Sequence, residues 1–570
     1  MAKYNGDWSA SSTVNSQVNW MTLNLFGTDG IRGLVNTNSL DEQEAIENLH
    51  LKREVSPSLM RLIGEVLGRI HDTLPGNGNV AVVGWDERPD NKLLAQHLTL
   101  GLQISGCKVI QIGVCATPTL HYATLHNTAR MGCMITASHN PVSDSGLKIF
   151  DAFGFKTTPV LENEISKLAE HLSKEEREID DIEHEKTSTP HLDHSQTDWA
   201  KNLHINWLTK RLEHFTDLFG TTNQSNTFKI AQPLLIDSSK GSAANWFADW
   251  LANSIGIPSL EVSHDAKIMN HNCGAGEISP TQTWTFQQAK QDPHILLAQL
   301  EPAEPGTIVA AALDGDGDRC LIIQATEEGF KVIDGDAIAD TVVNAGTNQE
   351  GHWTLAASIE SDLSLLSSLD RFSQPVSSIE TAVGDRWLSF SLSQSDGKQT
   401  LISSIKPPKY IGVEDSGHLV LPSQHPLDNS KWSLVGDGAA TLTAFLLSHF
   451  NHKPENLMQR GWKKRKSAID VNRNLWDGIN PLSDEIEQMA HSGLTNLGVV
   501  ENWQRSRLKG EENLMLIHAN FNQEKLSLGI RNSGTQAKIS VSLRLSSRTN
   551  TSGLEKVIDS LINHLKLNMN

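Results

Sequence analysis

Two short segments of this chain carry residue types whose spacing could do chemistry. The first is Thr136-Ala137-Ser138-His139-Asn140-Pro141, in which Ser138 offers a nucleophilic hydroxyl. The second is Asp314-Gly315-Asp316-Gly317-Asp318-Arg319, in which three carboxylates alternate with glycine. The apolar run at residues 308–313 predicts an extended backbone leading into that loop, and in such a backbone residues two apart project to the same side. Asp314, Asp316 and Asp318 should therefore converge, with the glycines letting the loop curl, and carboxylate oxygens suit a hard cation such as Mg²⁺. A calcium EF-hand loop would need Gly at its sixth position and Glu at its twelfth, but Arg319 and Ala325 stand there. Ser138 taken alone fits a local turn cap equally well. A serine together with a hard-metal loop points to phosphoryl transfer.

The elements that must position these residues recur in one order three times. In the first unit, strands are predicted at residues 80–83, 108–112 and 131–136, with helices from about 92 and 117, and Ser138 follows the third strand. In the second, strands at 234–236, 259–262 and 308–312 alternate with helices at 243–252 and 281–300, and the Asp loop follows. In the third, strands at 354–359, 376–379 and one ending near 411 alternate with helices at 363–369 and from 384, and Glu414-Asp415-Ser416-Gly417-His418 follows. Alternating strands and helices predict an α/β fold with largely parallel sheets, whose ligands sit beyond the carboxyl ends of the strands. Three such edges can face one central cleft. Asp334, Asp336 and Asp437 stand directly before apolar helical runs and read as helix caps or dipole partners rather than metal ligands. Residues 173–200, acidic and turn-prone, read as an exposed linker.

From about residue 455 the order changes to a smaller α+β unit, with strands predicted at 514–521 and 526–530 and a closing helix at 554–567. Its segment Arg531-Asn532-Ser533-Gly534-Thr535-Gln536 suits phosphate, since a guanidinium binds it bidentately while hydroxyls and amides add donors; a plain turn is the alternative. The basic run Lys463-Lys464-Arg465-Lys466 reads as a solvated face or linker.

At 570 residues the chain exceeds one ordinary core. Its 48 Lys and Arg against 67 Asp and Glu give a formal charge of -19, which argues against a nucleic-acid-binding surface. The five cysteines, odd in number and set in apolar runs, read as reduced core residues. The first twenty residues lack an apolar signal region and no run is long enough for a membrane span, so a cytoplasmic protein without membrane attachment is expected.

In order, Ser138 to Pro141, the Asp loop, Glu414 to His418 and Arg531 to Thr535 resemble the signature of the α-D-phosphohexomutases, over about residues 24–567. Phe26-Gly27-Thr28-Asp29-Gly30-Ile31-Arg32-Gly33, together with Gly384-Asp385-Arg386 and Gly534, is most similar to the branch of bacterial phosphoglucosamine mutases. The resemblance implies three related mixed α/β domains around a central cleft (21–195, 196–330 and 331–455) and a smaller α+β C-terminal domain (456–570) that closes over the substrate, after a disordered tail (1–20). It implies a phosphoserine at Ser138, Mg²⁺ held by Ser138, Asp314, Asp316 and Asp318, and sugar contacts from Glu414 and Ser416. Arg531, Ser533, Gly534 and Thr535 would anchor the distal phosphate, while Arg32, His139, Lys148, Arg319 and His418 would stand near the transferring one, with Lys148 and His139 as candidates for proton transfer. The implied substrate is a small-molecule sugar phosphate, with a sugar 1,6-bisphosphate as intermediate and activator, acted on by a monomer or homodimer. Glucosamine phosphate is expected first and mannose or glucose phosphate second; a serine-dependent metal phosphatase and a non-catalytic sugar-phosphate sensor are the other classes. Val413, Asp415, Asn532, Gln536 and Ala537 depart from the family pattern.

Overall fold

The computed structural model describes residues 25–38, 40–177, 189–220, 229–532, 537–549 and 551–570. The expected tail (1–20) and Ser533, Gly534 and Thr535 lie outside the described residues.

The architecture is mixed α/β. Three sheets share one plan, in which parallel strands are extended by an antiparallel strand that returns beside the third of them. In the first, Val80–Trp85 lies parallel to Lys108–Val114 and Met131–Ile135, and Asp144–Asp151 returns along Met131–Ile135. In the second, Ile230–Asp237 lies parallel to Ser259–Glu261 and Ile308–Leu313, and Cys320–Ala325 returns. In the third, Trp353–Ser358 lies parallel to Val376–Thr381 and Tyr410–Val413, and Leu419–His425 returns. Ser138, the Asp loop and Glu414 to His418 occupy the same place in each plan, the turn between third strand and return strand. Met131–Ile135 and Ile308–Leu313 are buried at every residue, which is why both read as unbroken apolar runs: helices cover both faces of a central parallel strand.

Ile31–Val35 joins the first sheet antiparallel to Asp144–Asp151. A Cβ on Gly146 would lie 1.8 Å from the Ile31 carbonyl oxygen, so the pairing that brings Asp29 and Arg32 to the return strand requires glycine there. The second and third sheets share one core, running from Leu234 and Ile236 through Leu355 and Ile411. Helix Trp199–Phe219 fastens the first sheet to the rest: its Trp207 stacks on Tyr122 with ring centroids 4.7 Å apart, and its Arg211 donates to Asp437 at 2.8 Å. Asp437 in turn accepts from Ala440 N as the N-cap of Gly438–His449, and Asp334 caps Gly335–Gly346 through Ala337 N, the roles their positions predict.

The C-terminal unit is a five-stranded antiparallel sheet with helices Pro481–Thr495 and Leu554–Asn568 and a core of its own. Here the structure corrects the sequence. Lys463 to Lys466 are not a linker; they lie, partly solvated, in the edge strand Trp462–Ile469, where Lys463 donates to Asp415 at 2.5 Å and Arg465 to Glu360 at 2.5 Å, tying this unit to the third sheet. The helix expected over 281–300 is instead the strand Thr283–Thr285 and two short helices, Phe286–Gln291 and Ile295–Ala298. Pro293 separates the helices, as a missing N–H and a clash with the preceding turn require. Within 173–200, Leu192–Asp193 pairs with Lys108–Val114 and Trp199 opens a helix, so those parts of the expected linker belong to regular elements, while residues 178–188 lie outside the described residues. All five cysteines are buried and unpaired. Among the described residues no helix is long and apolar enough to cross a membrane.

Arg211 and Asp437 have side chains only 1 % and 0 % exposed, so Arg211→Met, which keeps the bulk but strands the carboxylate, should lower the unfolding free energy by about 3–5 kcal/mol. Urea denaturation measures this; a loss below about 1 kcal/mol would show that the pair does not hold the helix to the third unit.

Candidate active site

Ser138 sits at φ 54°, a left-handed conformation that a non-glycine residue keeps only when its surroundings enforce it. Its N–H donates to Thr136 Oγ1 at 2.8 Å, and its carbonyl accepts from Arg88 at 2.6 Å and from Asn270 Nδ2 at 2.7 Å. Arg88 also donates to the carbonyls of Asn140 and Asp144, and Asp86 balances its charge at 3.1 Å. The turn is thus wrapped around one guanidinium, and Asn270 of the second unit reaches across to the same carbonyl. The result is a buried Ser138 hydroxyl aimed at Asp314 Oδ2, to which Oγ donates at 2.8 Å.

The Asp loop delivers its three carboxylates as the alternation predicts, with ligand oxygens all within 4.8 Å of one another and every residue buried. Asp314 Oδ1 accepts from the N–H groups of Asp318 and Arg319, both at 3.1 Å, which folds the loop on itself. Burial and the charges of Asp318 and Asp316 push the Asp314 carboxyl up to about 7. Asp316 Oδ1 and Asp318 Oδ1 are buried with no hydrogen-bond partner. Clustered, desolvated hard oxygens with unused lone pairs beside a serine hydroxyl fit a divalent cation of the Mg²⁺ type.

Lys148, on the return strand, lies 2.7 Å from both Asp316 Oδ2 and Asp318 Oδ2 and 3.2 Å from Asp29. Burial alone would lower its pKa, but Asp29, Asp316 and Asp318 outweigh it and hold the ammonium well above the usual lysine range. His139 has the opposite character. Burial and the nearby Arg319 and Arg32 push it down to about 3, leaving a neutral imidazole whose Nδ1 has no partner. His418 is pushed up to about 9: burial opposes its charge, and Asp318 and Asp385, the latter 3.3 Å away, more than restore it. Arg319 and His418 form an isolated β-bridge, and Cys320 N donates to Gly417 O at 2.9 Å, so the Asp loop and the Glu414 loop are joined backbone to backbone.

A cavity of about 550 Å³ opens over this assembly. Of the expected site residues, Arg32, His139, Arg319, Glu414 and His418 line it, while Ser138, the three aspartates and Lys148 are buried and do not line it. Glu414 accepts from Gly384 N at 2.7 Å, and burial raises its pKa. Ser416 is half-buried and does not line the cavity. Arg531 also lies elsewhere, paired with Glu511 at 2.8 Å beside a void of about 30 Å³ that Glu360 and Arg465 share. The sequence reading missed Asp29, Lys52, Arg53 and Asp385 on the cavity wall, and Arg88, Thr117, Lys156 and Asn270 behind it. Asp29 and Asp385 stand inside motifs quoted for the family resemblance; the others carry no local signal, because their partners are distant in sequence.

Residues 23–176 match the family model for phosphoglucomutase/phosphomannomutase, alpha/beta/alpha domain I. Among curated relatives, the phosphoglucosamine mutase of Rhodococcus opacus is 29% identical over 423 residues, 73% of this chain and 77% of the relative. That of Bifidobacterium longum is 28% identical over 426 residues, 74% and 78%. Among solved structures, a phosphoglucomutase/phosphomannomutase family protein from Burkholderia thailandensis superposes with a TM-score of 0.60 at 15% identity, covering 96% of this chain and 98% of the other. A putative phosphomannomutase from Thermus thermophilus does so with a TM-score of 0.56 at 18% identity, covering 96% and 98%. At these identities the structures establish a shared fold.

Asp316→Asn removes one charge at nearly constant volume, so Mg²⁺ affinity measured by calorimetry should fall roughly tenfold or more. An unchanged affinity would make the loop a structural feature.

Proposed function

We propose that this chain, which belongs to the α-D-phosphohexomutase superfamily and is most like its phosphoglucosamine mutases, interconverts glucosamine 6-phosphate and glucosamine 1-phosphate through a phosphorylated Ser138. The protein is an isomerase that moves a phosphoryl group within its substrate. The observation that carries the residue assignment is the Ser138 hydroxyl 2.8 Å from Asp314, in a buried carboxylate triad; the chain neighbours of the serine and of the triad, His139 and Arg319, line a cavity of about 550 Å³.

Phosphoserine at Ser138 gives its phosphoryl group to one sugar hydroxyl, the resulting sugar 1,6-bisphosphate turns around, and Ser138 recovers a phosphoryl group from the other end. Asp314, Asp316 and Asp318 would hold Mg²⁺ with Ser138, and the bound ion supplies charge neutralisation for the transferring group. The remaining work falls to the chain. The Lys148 ammonium, fixed by three carboxylates, and the Arg319 guanidinium supply positive charge at the reacting end without reorganising. His139, which lines the cavity beside Ser138, is assigned to accept the sugar proton. The protonated His418 is suited to donate, and Glu414, held by Gly384 N, to orient sugar hydroxyls. Arg531 and the loop after it are assigned to the phosphate that is not reacting. That distal grip suits a phosphorylated product and separates this reading from a phosphatase.

The purified protein, primed with a hexose 1,6-bisphosphate, should turn over glucosamine 6-phosphate faster than glucose or mannose 6-phosphate; the reverse order would reassign the sugar. Ser138→Ala should fold with unchanged circular dichroism, lose phosphoserine by mass spectrometry, and lose mutase turnover on the order of 10³-fold or more. Turnover at the wild-type rate in that variant would remove Ser138 from the mechanism.

A further inference from the structure

Lys156 stands just past the return strand Asp144–Asp151 with a side chain 8% exposed, and it does not line the cavity. Its ammonium donates to Asp29 Oδ1 at 2.8 Å and to Asp385 Oδ1 at 2.7 Å. Each carboxylate spends its second oxygen on the site. Asp29 Oδ2 accepts from Arg32 at 3.0 Å and lies 3.2 Å from Lys148 Nζ, while Asp385 Oδ2 lies 3.3 Å from His418 Nε2. Asp29 belongs to the segment leading into the first sheet. Asp385 opens helix Asp385–Ser393 of the third unit.

We infer that Lys156 is a positioning residue for the mutase reaction, one that holds Arg32 and Lys148 from the first unit and His418 from the third in a single register through a carboxylate–ammonium–carboxylate bridge. The arrangement has the form of an outer shell that orients the groups in contact with the reacting atoms, where a displacement of about 1 Å is enough to slow chemistry. A lysine suits the place because a compact ammonium satisfies two carboxylates at once, where the planar fork of arginine would spread them. Without it, two carboxylates on the cavity wall lose their shared cation, and His418 and the Arg32 to Lys148 pair lose their common reference.

The inference rests on the phosphohexomutase reading, and the test separates the two. Full-length wild type, Lys156→Met, Lys156→Arg, Asp385→Asn and the double variant Lys156→Met/Asp385→Asn are assayed with glucosamine, glucose and mannose 6-phosphates. Lys156→Met is expected to lower kcat by about 10–100-fold while KM stays within about threefold, Lys156→Arg to recover part of the loss, and the double variant to be no slower than the slower single variant. Wild-type kcat in Lys156→Met, or losses that multiply in the double variant, would overturn the role of Lys156 alone. No turnover by wild type with any of the sugars would overturn the mutase reading and this inference with it. Should Lys156→Met fail to fold, the double variant, which carries one buried charge fewer, is compared with Asp385→Asn: equal kcat supports the bridge, and a further tenfold loss overturns it.

Discussion

Three carboxylates held within 4.8 Å of one another, out of water, are the constraint around which the rest of the molecule is arranged. Unit charges about 4 Å apart repel by roughly 4 kcal/mol at an effective dielectric constant near 20, so such a loop does not persist unless positive charge is brought to it. The chain brings it from three directions. Lys148 comes from the first sheet, Arg319 from the loop itself, and His418 from the third unit. Even so, Asp314 stays raised and two buried oxygens stay unpaired, which marks the loop as built for more positive charge than the protein supplies. The meeting of three sheet edges is the means by which enough cations reach one point.

The same logic explains how an acidic chain handles an anionic substrate. A formal charge of -19 repels sugar phosphates at long range, yet Lys52, Arg53, Arg32 and Arg319 line the cavity wall. Asp29, which pairs with Arg32, and Asp385, which faces His418, are both bound to Lys156. The cavity wall therefore sets these cations among Asp29, Asp144, Asp385 and Glu414, while the three clustered carboxylates of the Asp loop lie buried behind it.

Much of this was legible in the sequence, for a physical reason. The turns after Met131–Ile135, Ile308–Leu313 and Tyr410–Val413 follow strands whose burial leaves a strong local pattern, and chemistry placed at the carboxyl ends of such strands is confined to a few residues. The Asp loop could be read because its geometry is local. Asn270 and Arg88 could not, since each meets the Ser138 carbonyl only after sheets more than a hundred residues apart have packed, or through a turn fifty residues upstream. Lys463 misled for a related cause: a run of four basic residues looks solvated until Asp415, Glu360, Glu555 and Asp559 are set opposite its side chains. Pro293 is the local residue that breaks the expected helix over 281–300, since proline cannot continue it.

The C-terminal unit shows how the fold can serve mutase rather than hydrolytic chemistry. It has its own core, and it meets the third unit through ionic pairs, Lys463 to Asp415, Arg465 to Glu360, and Arg544 with His518 to Glu380, beside an apolar seam in which Leu508, Leu514 and Leu516 pack on Ile359 and Val383. Asp415 is the neighbour of Glu414, so displacement of the Trp462–Ile469 strand is felt directly in the loop assigned to the sugar. Arg531 is held by Glu511, whose carboxyl burial pushes up, and under the proposed function an arriving phosphate takes that guanidinium from a carboxylate already poorly solvated. Under the proposed function, a distal phosphate taken up by Arg531 would draw on the same set of ionic pairs that reaches Asp415 beside Glu414, and would help to exclude water from Ser138.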